Sequence, residues 1–470
     1  MKSRWIVCLI LAAFVFSTSP VAMAAEGDKI VRTKSLTSLP VIKTVCAILG
    51  IEFLGALDTP PGSTAPSSLF LVRGLLNNTV NLVLSLLGLA AIEEDLPVQV
   101  AENGWGSDQA TTAVLDQQTT AVLDQLWDRT PMSYYGSTAW QSYLRQPAAQ
   151  IIRLRDTHCD LRSTGGGIVA VIDTGVDLDH PTLKPFLVQG VDFTGGTGNG
   201  DEKNGVTQAT TAVLDGTNWV NGSTAAGLDQ ATTAVLDDPE HAAFGHGTMV
   251  AGLVHLVAPN AKIMPVKAFK SDGTAYTSTI LRAIYYSANK GAKVLNMSFS
   301  RPTPSLEMKI ALDYAALRGA LLVASSGNEG TSQPRYPAAY DNVIGVAATT
   351  FDDVRASYSN YGPKVSLAAP GSGVITTYPF GTFAATWGTS FSTPIVSGAA
   401  ALLVGIQGNA SPAQVTAALN KAKPLTSDLG AGRLQAYQTV AYGRSLWPSG
   451  AFSAVPASCG AGDVDWTEAP

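Results

Sequence analysis

The chain has 470 residues, 46% of them apolar and 14% charged, with 45 glycines and 26 prolines. That balance excludes a disordered or collagen-like polymer. Thirty basic against thirty-six acidic residues leave a net charge of -6, so the chain lacks the basic footprint of a nucleic-acid binder.

Lys2 and Arg4 precede an apolar run over 5–16, and Ala22-Met23-Ala24 then supplies small residues of the kind a signal peptidase reads. The run stops at Ser17-Thr18-Ser19-Pro20, short of the roughly 20 apolar residues that span a bilayer. This predicts a signal peptide over 1–24, cleaved after Ala24, and a secreted protein, extracellular or periplasmic, with no membrane association once the signal is gone. No later run of 18 uniformly apolar residues is visible. Of four cysteines, Cys8 leaves with the signal, and Cys159 and Cys459 either pair in an oxidising compartment or remain packed thiols.

Residues 25–103 read as a small α/β unit, with a short helix over 77–87 and a strand over 89–94 ending in Glu93-Glu94. One octapeptide then recurs: QATTAVLD at 109–116, 208–215 and 230–237, and QQTTAVLD at 117–124. The irregular spacing is not that of a solenoid. It predicts insertions tolerated in surface loops, where added length costs little; two copies fall within 104–164 and two further along.

From 165 onward, short apolar runs alternate with amphipathic stretches. Strands are predicted over 168–172, 261–269, 293–299, 321–324, 343–348 and 365–368, and helices over 246–257, 278–290, 306–318, 390–405 and 412–421. Strands this continuously apolar are covered on both faces, which predicts an α/β fold: a mostly parallel, doubly wound sheet with helices on either side. Sites in such sheets gather at the carboxyl ends of the strands.

Three segments carry chemistry. In VAVIDTGVDLDHP, 169–181, a buried strand delivers Asp173 to its carboxyl end. An aspartic protease needs two such carboxylates sharing a proton, and no second D-T-G or D-S-G exists. Among five histidines, His246 stands apart in FGHGTMVAGLV, 244–254, where Gly245 and Gly247 predict open space around a ring facing a cleft. The other four have ordinary surroundings: His158 and His241 in polar loops, His180 before Pro181, His255 late on a helix. In GTSFSTPIVSGAAALL, 388–403, Ser390 lies at the start of a long helix, with its N–H pointing out where the dipole favours negative charge. A fourth segment, VASSGNEG at 323–330, offers Asn328 as an amide donor to an oxyanion. Singly, each has a bland reading: a turn aspartate, a core histidine, a capping serine, a turn asparagine.

Jointly the segments resemble the subtilisin-like serine proteases, over about 280 residues. The chain order Asp, His, Ser is the one established for subtilisin. The resemblance implies that Asp173 orients the imidazole, His246 takes the proton, Ser390 attacks the carbonyl, and Asn328 with the Ser390 N–H holds the oxyanion. It further implies a serine endopeptidase that needs no cofactor and acts on polypeptide substrates as a monomer. Residues 71–95 resemble the second half of the family's inhibitory propeptide, so 25–103 becomes an intramolecular inhibitor cut off between residues 98 and 107. FKSDGTA at 269–275 and NMSFS at 296–300 resemble the two edges that sandwich a substrate strand, with Gly273, Thr274 and Ala275 on one side and Ser298, Phe299 and Ser300 on the other. The catalytic domain is expected over 165–440, preceded by an N-terminal segment over 104–164 and followed by a tail over 441–470. The sequence departs from the family in several places. The helix after His246 runs directly into Ala258-Pro259 and Thr182 stands where a ligand aspartate is usual, which removes the common calcium site. Ala275 and Ser300 replace edge glycines, and Arg335 stands before Tyr336-Pro337 where a small residue often closes the specificity pocket.

Overall fold

The computed structural model describes residues 27–37, 39–48, 50–60, 63–74, 89–100, 128–195, 198–203 and 243–452. The helix expected over 77–87 and all four octapeptide copies lie outside these residues. The chain divides into two compact units, one comprising the N-terminal residues through 97 together with 276–286, the other comprising 98–275 and 287 onward.

The first unit is built on a four-stranded antiparallel sheet in the order Glu52–Ala56, Ser67–Arg73, Lys29–Thr37, Leu89–Glu94. Helix Leu39–Ile48, which the sequence reading did not assign, packs on it through Ile42 and the buried thiol of Cys46, against Val31, Phe70 and Val72. Asp28, fully buried, is held by a two-pronged Arg73 at 2.8 and 2.9 Å. Asp95 accepts the Ser278 N–H at 2.7 Å and its hydroxyl at 2.6 Å, capping the start of helix Thr277–Asn289.

The second unit carries a seven-stranded sheet in the order Leu367–Pro370, Ile344–Thr349, Leu321–Ser325, Val294–Met297, Ile168–Asp173, Lys262–Lys267, Val191–Asp192. Every neighbouring pair is parallel. The central strands are buried along their length, as expected when both faces are covered. Val169, Val171, Val294, Val323 and Val346 form one continuous core with helices His246–Val257 and Thr389–Ile406. Strand residues alternate in direction, and helix Leu306–Leu317 packs against Leu321–Ser325, its buried Met308, Leu312 and Ala315 standing outside that core. Thr389–Ile406 has the length and mean hydropathy, 1.5, of a membrane span, yet 89% of it is buried, so it is the helix around which the core is built.

Differences from the sequence reading are local. The run 293–299 breaks after Met297, because Phe299–Ser300 joins a separate small sheet. Edge strand Val191–Asp192 is two residues long and leaves no periodic signal. Within 128–159, a hairpin and three short helices add to the core, and two of their side chains reach helix His246–Val257: the Tyr134 hydroxyl donates to the Leu256 carbonyl and that of Tyr143 to Gly252, each at 2.6 Å. Gln146 binds Ile375 at both ends of its amide, Nε2 to the carbonyl at 2.6 Å and Oε1 from the N–H at 2.9 Å. His158 sits in helix Leu154–Cys159, buried, with Nε2 2.9 Å from the Val257 carbonyl, which corrects the polar loop expected for it. Helix Ala436–Leu446 runs through residue 440, where the domain was expected to end, and packs by Gly443 against Leu403. Cys159 is disulfide-bonded.

Candidate active site

Three adjacent strands deliver the candidate residues to one edge of the sheet. Ile168–Asp173 ends on Asp173, Val294–Met297 leads into Ser298, and Leu321–Ser325 leads into Asn328. This is the carboxyl edge, where ligand sites gather in open α/β sheets.

His246 is the first residue of its helix, and its Nδ1 lies 2.6 Å from Asp173 Oδ1, each side chain 1% exposed. Facing a carboxylate acceptor, Nδ1 is assigned the ring proton, which leaves Nε2 as the lone-pair nitrogen of the neutral ring. The flanking glycines do not open space, as the sequence suggested; they permit contact. Gly245 has φ +92°, and a Cβ there would come within 2.4 Å of the Tyr378 ring; on Gly247 it would come within 2.0 Å of the Gly175 carbonyl.

Ser390 is the second residue of Thr389–Ile406. Pro394 lies inside the helix and lacks the N–H that would bond the carbonyl four residues earlier. That carbonyl belongs to Ser390, and the Ser298 hydroxyl supplies the missing donor at 2.8 Å. The Ser390 hydroxyl in turn donates to the Ser298 carbonyl at a long 3.4 Å. The next residue, Phe391, places its ring centroid 5.5 Å from that of His246, bringing the helix start beside the imidazole. Asn328 Oδ1 accepts from the Thr389 N–H at 2.9 Å and the Thr389 hydroxyl at 2.8 Å, which fixes which end of the amide is oxygen.

Sequence reasoning passed over Glu202. It is 1% exposed and accepts from the Thr174 hydroxyl at 2.5 Å, the Gly245 N–H at 2.8 Å, the Thr248 N–H at 3.0 Å and the Thr248 hydroxyl. Burial pushes its carboxyl up to about 7, against the hydrogen bonds from Thr174 and Thr248 and the charge of Lys267, which hold it down.

Residues 98–100 lie between 273–275 and 299–300 in a small sheet. Val100 pairs with Phe299 and Gln99 with Ser300, and the Val100 N–H donates to the Gly273 carbonyl at 3.0 Å. Val98 and Val100 are buried while Gln99 is exposed. Gly273, Thr274 and Ala275 thus stand on one side of this strand and Phe299 and Ser300 on the other, with Ser298 just beyond, against Ser390. Arg335 contacts Glu329 at 2.5 Å, and Asn360 binds the other oxygen of that carboxylate at 2.6 Å. Thr182 donates to the Thr138 carbonyl at 2.8 Å.

A parallel sheet with an aspartate, an imidazole and a helix-start serine at its carboxyl edge has the layout of a serine endopeptidase. The subtilase family (peptidase S8) matches residues 164–462, and the chain belongs to that family. It is 33% identical over 297 residues to thermitase of Thermoactinomyces vulgaris, covering 60% of this chain and 91% of thermitase. It is 34% identical over 269 residues to subtilisin DY of Bacillus licheniformis, covering 56% of this chain and 84% of that protein. Identity to subtilisin BL of Lederbergia lenta is 42% over 168 residues, 34% of this chain and 62% of the relative. The chain is therefore a subtilisin-like serine endopeptidase.

Proposed function

We propose that the chain is a secreted, self-processing endopeptidase whose Ser390 attacks peptide carbonyls to form an acyl-enzyme. The observation that carries this reading is the 2.6 Å contact of buried Asp173 with His246 Nδ1, beside the helix that begins at Thr389. In the proposed cycle, His246 Nε2 takes the Ser390 proton as the hydroxyl oxygen adds to the carbonyl carbon, and the imidazolium so formed is stabilised by Asp173. The oxyanion is held by the Ser390 N–H and the Asn328 amide. His246 then returns the proton to the leaving amine, and water repeats the sequence on the ester. The Ser390 hydroxyl here donates to the Ser298 carbonyl at a long 3.4 Å, a weak bond that it would exchange for His246 Nε2 when substrate binds, as catalytic hydrogen bonds often tighten only in the complex.

Substrate is proposed to bind as an added strand between 273–275 and 298–300, in the place taken here by 98–100. Val100 stands opposite Phe299, and the next residue along that edge, Ser298, touches Ser390. The register therefore supports processing close after Val100, within the 98–107 window, with 25–103 acting as inhibitory propeptide after removal of a 1–24 signal. The test is Ser390→Ala: the precursor should accumulate uncut and lose fluorophosphonate labelling while its circular dichroism is unchanged. Normal processing of this variant in the absence of other proteases would refute the reading.

A further inference from the structure

We propose that Glu202 is a positioning residue for the proton-transfer pair, a single buried carboxylate that clamps together the two backbone turns carrying Asp173 and His246. The inference rests on the reading of those residues given above. Asp173 and His246 come from different elements, and His246 lies 73 positions after Asp173 in sequence, with two of the octapeptide copies between them. Their mutual geometry needs a local tie. Glu202 supplies it: Oε1 accepts from Thr174, the residue after Asp173, and from the N–H of Gly245, the residue before His246. Oε2 accepts from both donors of Thr248, two residues beyond the imidazole.

The hydroxyls are oriented by their other partners. Thr174 Oγ1 accepts from the Gly247 N–H at 2.9 Å, and Thr248 Oγ1 accepts from the Asp177 N–H at 2.8 Å, so each hydroxyl proton is directed at the carboxylate. Four donors converge on two oxygens, a set that only an ionised carboxylate satisfies completely. The charged and titratable groups around it are Asp173, Lys267, whose Nζ is 3.4 Å from the Glu202 carbonyl, and Tyr378. Its role is then twofold: holding the Asp173 to His246 distance, and, above about pH 7 where the carboxyl is ionised, adding a buried negative charge that favours the imidazolium formed in the reaction.

The experiment compares the parent chain, Glu202→Gln and Thr174→Val by fluorophosphonate labelling, kcat and KM on a short peptide, the acid limb of the kcat profile, and thermal melting. Glutamine keeps the size but turns an NH2 toward two donors; valine keeps the shape of threonine but removes the hydroxyl. In Glu202→Gln, kcat should fall about 10- to 100-fold with KM within about twofold, the size of effect a small misplacement of catalytic groups produces. Its acid limb should move to lower pH. Thr174→Val should show a smaller kcat loss, and it keeps the proposal testable if Glu202→Gln fails to fold. A parent chain that does not label at Ser390 overturns both readings. A parent that labels, with variants that keep kcat, or that lose it only in proportion to melting and with the acid limb unmoved, overturns the Glu202 assignment alone.

Discussion

Asn328 commits its amide oxygen to both donors of Thr389, so its NH2 group is presented in one orientation beside the helix start. Asn328→Ala should therefore lower kcat and leave KM nearly unchanged. The expected loss, about 100- to 1,000-fold, is the range established for the oxyanion asparagine of subtilisin, carried over to this chain unchanged. A change in KM with constant kcat would make Asn328 a turn residue only. At this scale the sequence was legible where a residue type and its motif coincide: Asp173, His246, Ser390 and Asn328 stand out by what precedes and follows them, and the fold brings them to one edge of the sheet, while their roles rest on the proposal above. Glu202 does not. It stands in the polar, glycine-rich GNGDEKNG, where a carboxylate reads as a solvated turn, and its burial is created only by Thr174 and Thr248, which come from elsewhere in the chain.

Among elements, the helix His246–Val257 owes its position to glycines. Because a Cβ on Gly247 would approach the Gly175 carbonyl to 2.0 Å, Gly247→Ala must push the helix start away from the Asp173 turn. The expected outcome is a kcat loss of at least about tenfold, since small misplacements at reacting groups are costly, with a melting temperature lowered as for other overpacked sites. Steady-state kinetics alongside calorimetry checks this, and an unaltered kcat would refute it. These glycines stood out in the sequence for the wrong reason: flanking glycines are equally compatible with an open cleft and with close backbone approach, and only the partner atoms decide. Strands of the sheet were legible because a run buried on both faces is continuously apolar. The break after Met297 was not, because Phe299 is as apolar as the strand it leaves and is buried in another sheet.

Over the whole molecule, acid should act on stability through three buried histidines. Burial pushes His158 down to about 4 and His255 down to about 3, and lowers His180 as well. An unfolded histidine titrates near 6.5, so between that pH and about 3 to 4 the unfolded chain binds more protons than the folded one. The stability these histidines contribute is then complete above about pH 6.5 and is lost as pH falls. Neither ring nitrogen of His255 has a hydrogen-bond partner among the described residues, and its ring packs on Tyr134 and Phe186. His255→Leu should thus flatten the fall in melting temperature between pH 6.5 and 4.5; an unchanged slope would show that other groups carry it. A different expectation concerns the octapeptides. Deleting 208–215 and 230–237 together should leave peptide cleavage intact and shift stability by no more than about 1 kcal/mol, because loop-closure entropy varies slowly with length. A large loss of activity on peptide and protein alike would mean that these copies help set the His246 region. The architecture as a whole was legible from the alternation of elements, whereas the 128–159 segment was opaque, since its short helices are stabilised by the surface they cover rather than by their own periodicity. Gln146 within that segment carries one more consequence. By exchanging two hydrogen bonds with Ile375 it satisfies both backbone groups of a fully buried residue in strand Ser372–Tyr378, groups that would otherwise carry the cost of an unmade hydrogen bond out of reach of water. One side chain therefore stands in, at that point, for the neighbouring strand that the sheet lacks.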